Sequence, residues 1–236
     1  MKRRNFVKLC GSALTLAAAN PMLTARADDA KPKAYDRARL VDKHGKPIKA
    51  SKLKVGENYL FHYPYAGTPA FLLRLPKAAP GGDKLETAVG GQYTWPGGVG
   101  PDKTVVSYCA ICAHQLSYPS KQHSFINYTE NKSPVAGRGN VIVCCAHHSV
   151  YDPAHGAKVV GGPAPQPLAA ITLEYDKASD GLYATGTFGG EVYGEYFKAY
   201  RHELIEEFGR GVAKDEINKT AMVMPLSEYV KQRFTC

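Results

Sequence analysis

Cys112-Ala113-His114 and Cys144-Cys145-Ala146-His147-His148 are the two stretches from which this chain is read. Each sets a thiol beside an imidazole, and both side chains are good ligands for transition metals. The approach to each box is a strand-like apolar run, Val105-Val106-Ser107-Tyr108-Cys109-Ala110-Ile111 and Asn140-Val141-Ile142-Val143, which would deliver a ligand into a loop. The second box contains two C-x-x-H registers, Cys144 with His147 and Cys145 with His148. Spacing alone leaves both open.

The residues that follow the second box favour one of them. Cys144-x-x-His147-x-Ser149-x-Tyr151-Asp152 resembles in full the C-x-x-H-x-S-x-Y-D pattern of Rieske iron–sulfur proteins. The other register would shift the serine and tyrosine out of place. The resemblance implies a [2Fe–2S] cluster in which Cys112 and Cys144 hold one iron while His114 and His147 hold the other. It also implies that Ser149 Oγ bonds a bridging sulfide and Tyr151 OH a cysteine sulfur, both favouring the more negative reduced cluster. The outer ring nitrogens of His114 and His147 are expected at the surface, as the electron's exit or entry. Many members of the family brace the two cluster loops with a disulfide. The corresponding positions here are Ser117 and Ala146, so that brace is expected to be absent. Cys109 and Cys145 are then open to two readings: a replacement bridge, or a small buried thiol behind the cluster and a Cys145 of no special role. Cys236 reads as incidental.

Further strings narrow the resemblance. Tyr63-Pro64, Pro69-Ala70-Phe71-Leu72-Leu73-Arg74-Leu75, Trp95-Pro96-Gly97-Gly98-Val99-Gly100-Pro101-Asp102 and Ile171-Thr172-Leu173-Glu174-Tyr175-Asp176 resemble the small Rieske subunit of arsenite-oxidase-type molybdenum enzymes, a group that includes iodate-reductase relatives. Ser179-Asp180 and Val192-Tyr193-Gly194 extend the match, which covers roughly residues 38–196. It implies an all-β fold, a Rieske-type antiparallel β-sandwich or barrel, with a cluster-binding subdomain near residues 105–167. In the family a loop matching Gly161-Gly162-Pro163-Ala164-Pro165 covers one side of the cluster, and stiff prolines suit a lid that keeps water off the sulfurs. The polar insert Tyr118–Gly139 would lie near the cluster tip, as a partner surface or as a solvated loop.

Composition agrees with a β-rich, loop-rich chain, with 23 Gly, 16 Pro and 15 Tyr in 236 residues. The N-terminus carries Lys2-Arg3-Arg4-Asn5-Phe6, a mild apolar stretch and Ala25-Arg26-Ala27, which reads as a twin-arginine export signal over residues 1–27 and predicts a periplasmic protein. No stretch reaches the ~20 apolar residues of a membrane span. Removing Lys2, Arg3, Arg4, Lys8 and Arg26 takes the formal charge from +9 to +4. That is too mild to argue for nucleic acid or lipid as a partner.

Residues 28–196 are thus assigned to the Rieske domain and 197–236 to a helical extension. In that extension Phe197, Tyr200, Leu204 and Phe208 share a helical face, Gly209 is a stop, and a second short helix starts near Ser227. The tail is expected to pack on its own domain or to dock on a partner subunit. With no substrate-pocket signature in the chain, catalysis would reside in the partner. The expected function is periplasmic electron transfer between a molybdenum catalytic subunit and a c-type cytochrome. The Rieske subunit of a quinol-oxidising cytochrome bc complex and a free-standing carrier are the alternatives. A structural zinc site from the same four ligands would give Ser149 and Tyr151 no purpose. The tail is too short for the catalytic domain of a Rieske oxygenase.

Overall fold

The computed structural model describes residues 30–236, so the expected export signal lies outside the described residues. In chain order the strands are β1 (Lys33–Val41), β2 (Tyr59–His62), β3 (Pro69–Arg74), β4 (Lys84–Glu86), β5 (Gln92–Thr94), β6 (Val105–Cys109), β7 (His123–Ser124), β8 (Ile126–Thr129), β9 (Val141–Cys144), β10 (Ser149–Asp152), β11 (Lys158–Gly161), β12 (Ala170–Asp176), β13 (Gly181–Phe188), β14 (Lys219–Met222), β15 (Met224–Pro225) and β16 (Gln232–Arg233). The helices are α1 (Tyr193–Ala199), α2 (Arg201–Phe208) and α3 (Leu226–Tyr229).

Eight strands form one sheet in the order β14-β1-β13-β12-β6-β3-β2-β15. All its pairings are antiparallel except β1 with β14. The two edge strands, β14 and β15, are separated in sequence by Val223 alone. The sheet therefore curls until its edges nearly meet, which leaves little unpaired backbone at either edge. β3 shows why its run is apolar throughout. Phe71 and Leu73 point into one core and Ala70 and Leu72 into another, because successive side chains of a strand face opposite ways. Fully buried Leu60, Phe61, Phe71 and Leu72 each contribute about 1.5–3 kcal/mol of hydrophobic stabilisation.

A second sheet, β11-β10-β9-β8, is antiparallel and carries the second box at the β9–β10 turn. Its face shares a core with the large sheet: Ile126, Ile142 and Tyr151 pack with Phe71, Leu73 and Tyr108. The stretch 118–139 is thus more than a solvated loop, since it supplies β8 with Ile126, Asn127 and Tyr128 all buried. Likewise the Pro/Gly-rich segment 76–100 folds as the β4–β5 hairpin and buries Trp95 beside Tyr108, with ring centroids 6.2 Å apart.

The helical periodicity of the tail resolves into two helices that break at Tyr200, with Gly209 at φ 93° ending α2. Tyr193, Tyr196 and Leu204 pack against Cys109 and Ile111 on the approach to the first box. Beyond α2 the chain returns to the sheet as β14 and β15.

Candidate metal centre

The first box follows β6 at the centre of the large sheet, and the second is the turn between β9 and β10 of the small one. Packing the two sheets on one core therefore fixes the boxes relative to each other. In the first, the Cys112 N–H donates to the Ser117 carbonyl at 2.8 Å and the Leu116 N–H to the Cys112 carbonyl at 2.9 Å. In the second, Ser149 lies opposite Cys144 in the ladder, and the His148 N–H donates to the Cys144 carbonyl at 2.8 Å. His148 closes that turn with φ 61°, a left-handed conformation that few non-glycine residues adopt.

Cys112 and Cys144 are both buried. The neighbouring Cys144 thiol draws Cys112 down to about 6 against the opposing effect of burial, helped by Tyr151 and by the His114 and Gln115 N–H groups. Cys144 is pushed up, first by Cys112 and then by burial, although the Ala146 and His147 N–H groups act the other way. Both sulfurs thus sit in cages of N–H and O–H donors that favour negative charge. Tyr151 is fully buried, its OH 3.2 Å from Cys112 Sγ and 3.1 Å from the Ala113 nitrogen. The amide can only donate, so the phenol accepts there and its own proton is free for the sulfur.

His114 and His147 approach edge to face, ring centroids 4.9 Å apart. His147 is exposed and His114 half-buried, with Nδ1 facing inward and without a hydrogen-bond partner. Ser149 Oγ is likewise buried and without a partner. Buried polar atoms left unpaired cost about 1–3 kcal/mol each. A metal ligated by the imidazole and an acceptor sulfide for the hydroxyl would satisfy both, so the donor set fits an iron–sulfur group.

Segment 161–168 lies against the second box. A side chain at Gly162 (φ 77°) would meet the His148 carbonyl at 2.2 Å and Ser149 Cα at 2.6 Å, so only glycine permits this approach. Ala164 and Leu168 join the same core as Cys112, Cys144 and Tyr151. Asp152, last in the patterned string, caps the turn 153–155 through the Ala154 N–H at 3.0 Å and receives Arg138 at 2.7 Å, a structural role.

Of the two readings open for Cys109, the structure shows the buried thiol, free and on the far side of β6 from the shared core. The expectations for Cys145 and Cys236 need correction. Cys145 is instead disulfide-bonded to Cys236, which is therefore not incidental. Sequence offered only a leftover cysteine at each place. The 91-residue separation gave no reason to join them before the tail was placed.

No family model matches the chain. It is 28% identical over 199 residues to the iodate reductase subunit IdrB of Denitromonas iodatirespirans, covering 82% of this chain and 84% of that protein. It is 27% identical over 205 residues to a Haloferax mediterranei protein bearing the name of a respiratory nitrate reductase Rieske subunit, covering 81% and 80%. Among solved structures it resembles the soluble domain of Rieske protein II from Sulfolobus acidocaldarius, at 22% identity and a TM-score of 0.46, over 67% of this chain and 82% of that one. The patterned second box and the agreement with these curated relatives along some four-fifths of the chain point the same way: the chain is related to Rieske-type iron–sulfur electron-transfer proteins, and among them to the small subunits of arsenite-oxidase-type enzymes.

Proposed function

We propose that the chain is the periplasmic Rieske subunit of an arsenite-oxidase-type molybdenum oxidoreductase, exported by the twin-arginine pathway, and that it passes electrons between the catalytic subunit and a c-type cytochrome. Cys112 and Cys144 would hold one iron of a [2Fe–2S] cluster through their sulfurs, and His114 and His147 the other through a ring nitrogen each. When bound, that group supplies a one-electron carrier in the range of about −150 to +300 mV. The chain's own residues do the rest. Tyr151 donates to Cys112, Ser149 Oγ donates toward the site, and the Ala164–Leu168 segment keeps water from the thiol side. His147, the exposed member of the imidazole pair, is the edge at which a partner can exchange an electron.

The observation that carries this reading is the pair of unpartnered buried atoms, Ser149 Oγ and His114 Nδ1, beside two donor-caged sulfurs. The names of the two curated relatives, one an iodate reductase subunit, support the assignment to an oxidoreductase complex. The test is purification of the native protein from periplasm, with iron and molybdenum assayed across one size-exclusion peak. Iron and molybdenum co-eluting in a larger complex is the expected result. Iron alone at the size of a monomer would refute the subunit assignment.

A further inference from the structure

The last residues of the chain form a strap across the second box. β16 runs parallel to β7, with Gln232 opposite His123 and Arg233 opposite Ser124. The Phe234 N–H donates to the Ser124 carbonyl at 2.9 Å, and Asn127 Nδ2 donates to the Phe234 carbonyl at 2.8 Å. The Phe234 ring stacks on Phe125, centroids 4.4 Å apart and planes within 9°. Ser133 Oγ donates to the Cys236 carbonyl at 2.6 Å, and the Cys145–Cys236 disulfide closes the strap.

Cys145 is where the strap meets the ligand loop. Cys144 precedes it and His147 follows two residues later. Besides the His148–Cys144 bond, the loop backbone is held by the Cys145 N–H donating to the Phe125 carbonyl at 2.7 Å. Phe125 is the residue whose ring Phe234 covers. The strap therefore grips the loop twice, through sulfur at Cys145 and through Phe125 at the Cys145 amide. The disulfide also lines an open pocket of about 520 Å³, with Asn127, Glu130, Ser133 and Arg233 among its walls. Both of its cysteines are partly exposed, so a small thiol can reach them, whereas Cys109 is buried.

We propose that Cys145–Cys236 is a thiol-responsive positioning bond: intact, it holds the Cys144–His147 loop; cleaved by a dithiol reductant, it frees the strap and loosens the loop's hold on the cluster. The proposal rests on the iron–sulfur reading above. In the cleavage a thiolate of the dithiol bonds to one protein sulfur as the S–S bond breaks, and the other cysteine leaves as thiolate. The dithiol's second thiol then displaces the first protein sulfur. Two electrons pass to the protein, which ends with two thiols after proton uptake, and the dithiol departs as its own disulfide.

The test uses the full chain carrying its cluster. Wild-type protein is treated with dithiothreitol, alkylated, reoxidised and read by mass, by the rate of cluster loss to a chelator, and by midpoint potential and reduced-state EPR. Expected are adducts at Cys145 and Cys236, severalfold faster cluster loss, and a changed potential and EPR line shape. Cys236→Ser should show the same changes without dithiothreitol, and dithiothreitol should add nothing to them. Reduced and alkylated wild type stands in for the variant if Cys236→Ser does not fold. Unchanged lifetime, potential and spectrum after cleavage overturn the proposal, as does the absence of adducts at the two cysteines. Untreated wild type without iron–sulfur absorption overturns the iron–sulfur reading as well, whereas a cluster indifferent to cleavage sinks the strap alone.

Discussion

Tyr151→Phe removes one oxygen atom from the site and leaves the ring where it is. That oxygen makes two contacts, to Cys112 Sγ at 3.2 Å and to the Ala113 nitrogen at 3.1 Å. Burial, then the nearby Cys112 charge, pushes the phenol far above its ordinary value, so Tyr151 is a neutral donor at any working pH. Two losses follow, with separate readouts. The Ala113 N–H is left in a buried site without an acceptor, which costs about 1–3 kcal/mol. For a domain of this size that lowers the thermal midpoint by about 2–4 °C per kcal/mol. The O–H···S bond strengthens when the site gains an electron, because hydrogen bonds to charged acceptors are roughly twice as strong as neutral ones. Taking that gain as about 1 kcal/mol, the one-electron relation of 59 mV per tenfold makes the midpoint potential about 40 mV more negative. Protein-film voltammetry on wild type and variant, with iron content matched, measures the shift. An unchanged or more positive potential with the cluster intact would refute the role given to Tyr151, whatever the stability does.

The ligand register is tested by His147→Ala, which should abolish the iron–sulfur absorption, against Cys145→Ser, which should retain it at purification. The reverse pair of outcomes would move the ligands to Cys145 and His148. Gly162→Ala should destabilise the fold by more than about 1 kcal/mol, since alanine is strained at a positive φ and its methyl would enter the His148–Ser149 backbone; chemical denaturation with the wild-type midpoint would remove that packing argument. His62 is lowered to about 4 from 6.5, chiefly by burial and further by Lys121. It is still partly open to a groove, which softens the shift. Its folded value lies below its unfolded one, so the unfolded chain takes up the proton first. The stability it contributes is therefore full above pH 6.5 and is lost as the pH falls toward 4. His62→Leu should flatten that part of the melting-temperature profile, and parallel profiles for the two proteins would contradict it.

The two boxes and the Ser149–Tyr151 string were legible in the sequence because ligand chemistry demands particular residue types at short, fixed spacings. The strand character of β3, β6 and β9 was legible for a related reason: apolar runs bounded by turn residues have few other ways to be buried. Tertiary structure alone decided what depends on distant pairings. β8 is polar enough to pass for a loop, and only its place beside β9 makes it a strand. The tail's periodicity announced helix up to Gly209 but not its break at Tyr200, and β14 and β15 are too short to be seen until β1 and β2 are there to receive them. Cys145 and Cys236 look like remnants in the sequence, since a disulfide is set by the distance between two Cα atoms, here 5.7 Å, and nothing local encodes it. The sequence by itself determined which side chains stand at ligand spacing, because that spacing is local; the packing of two sheets and a returning tail determined what holds them in place.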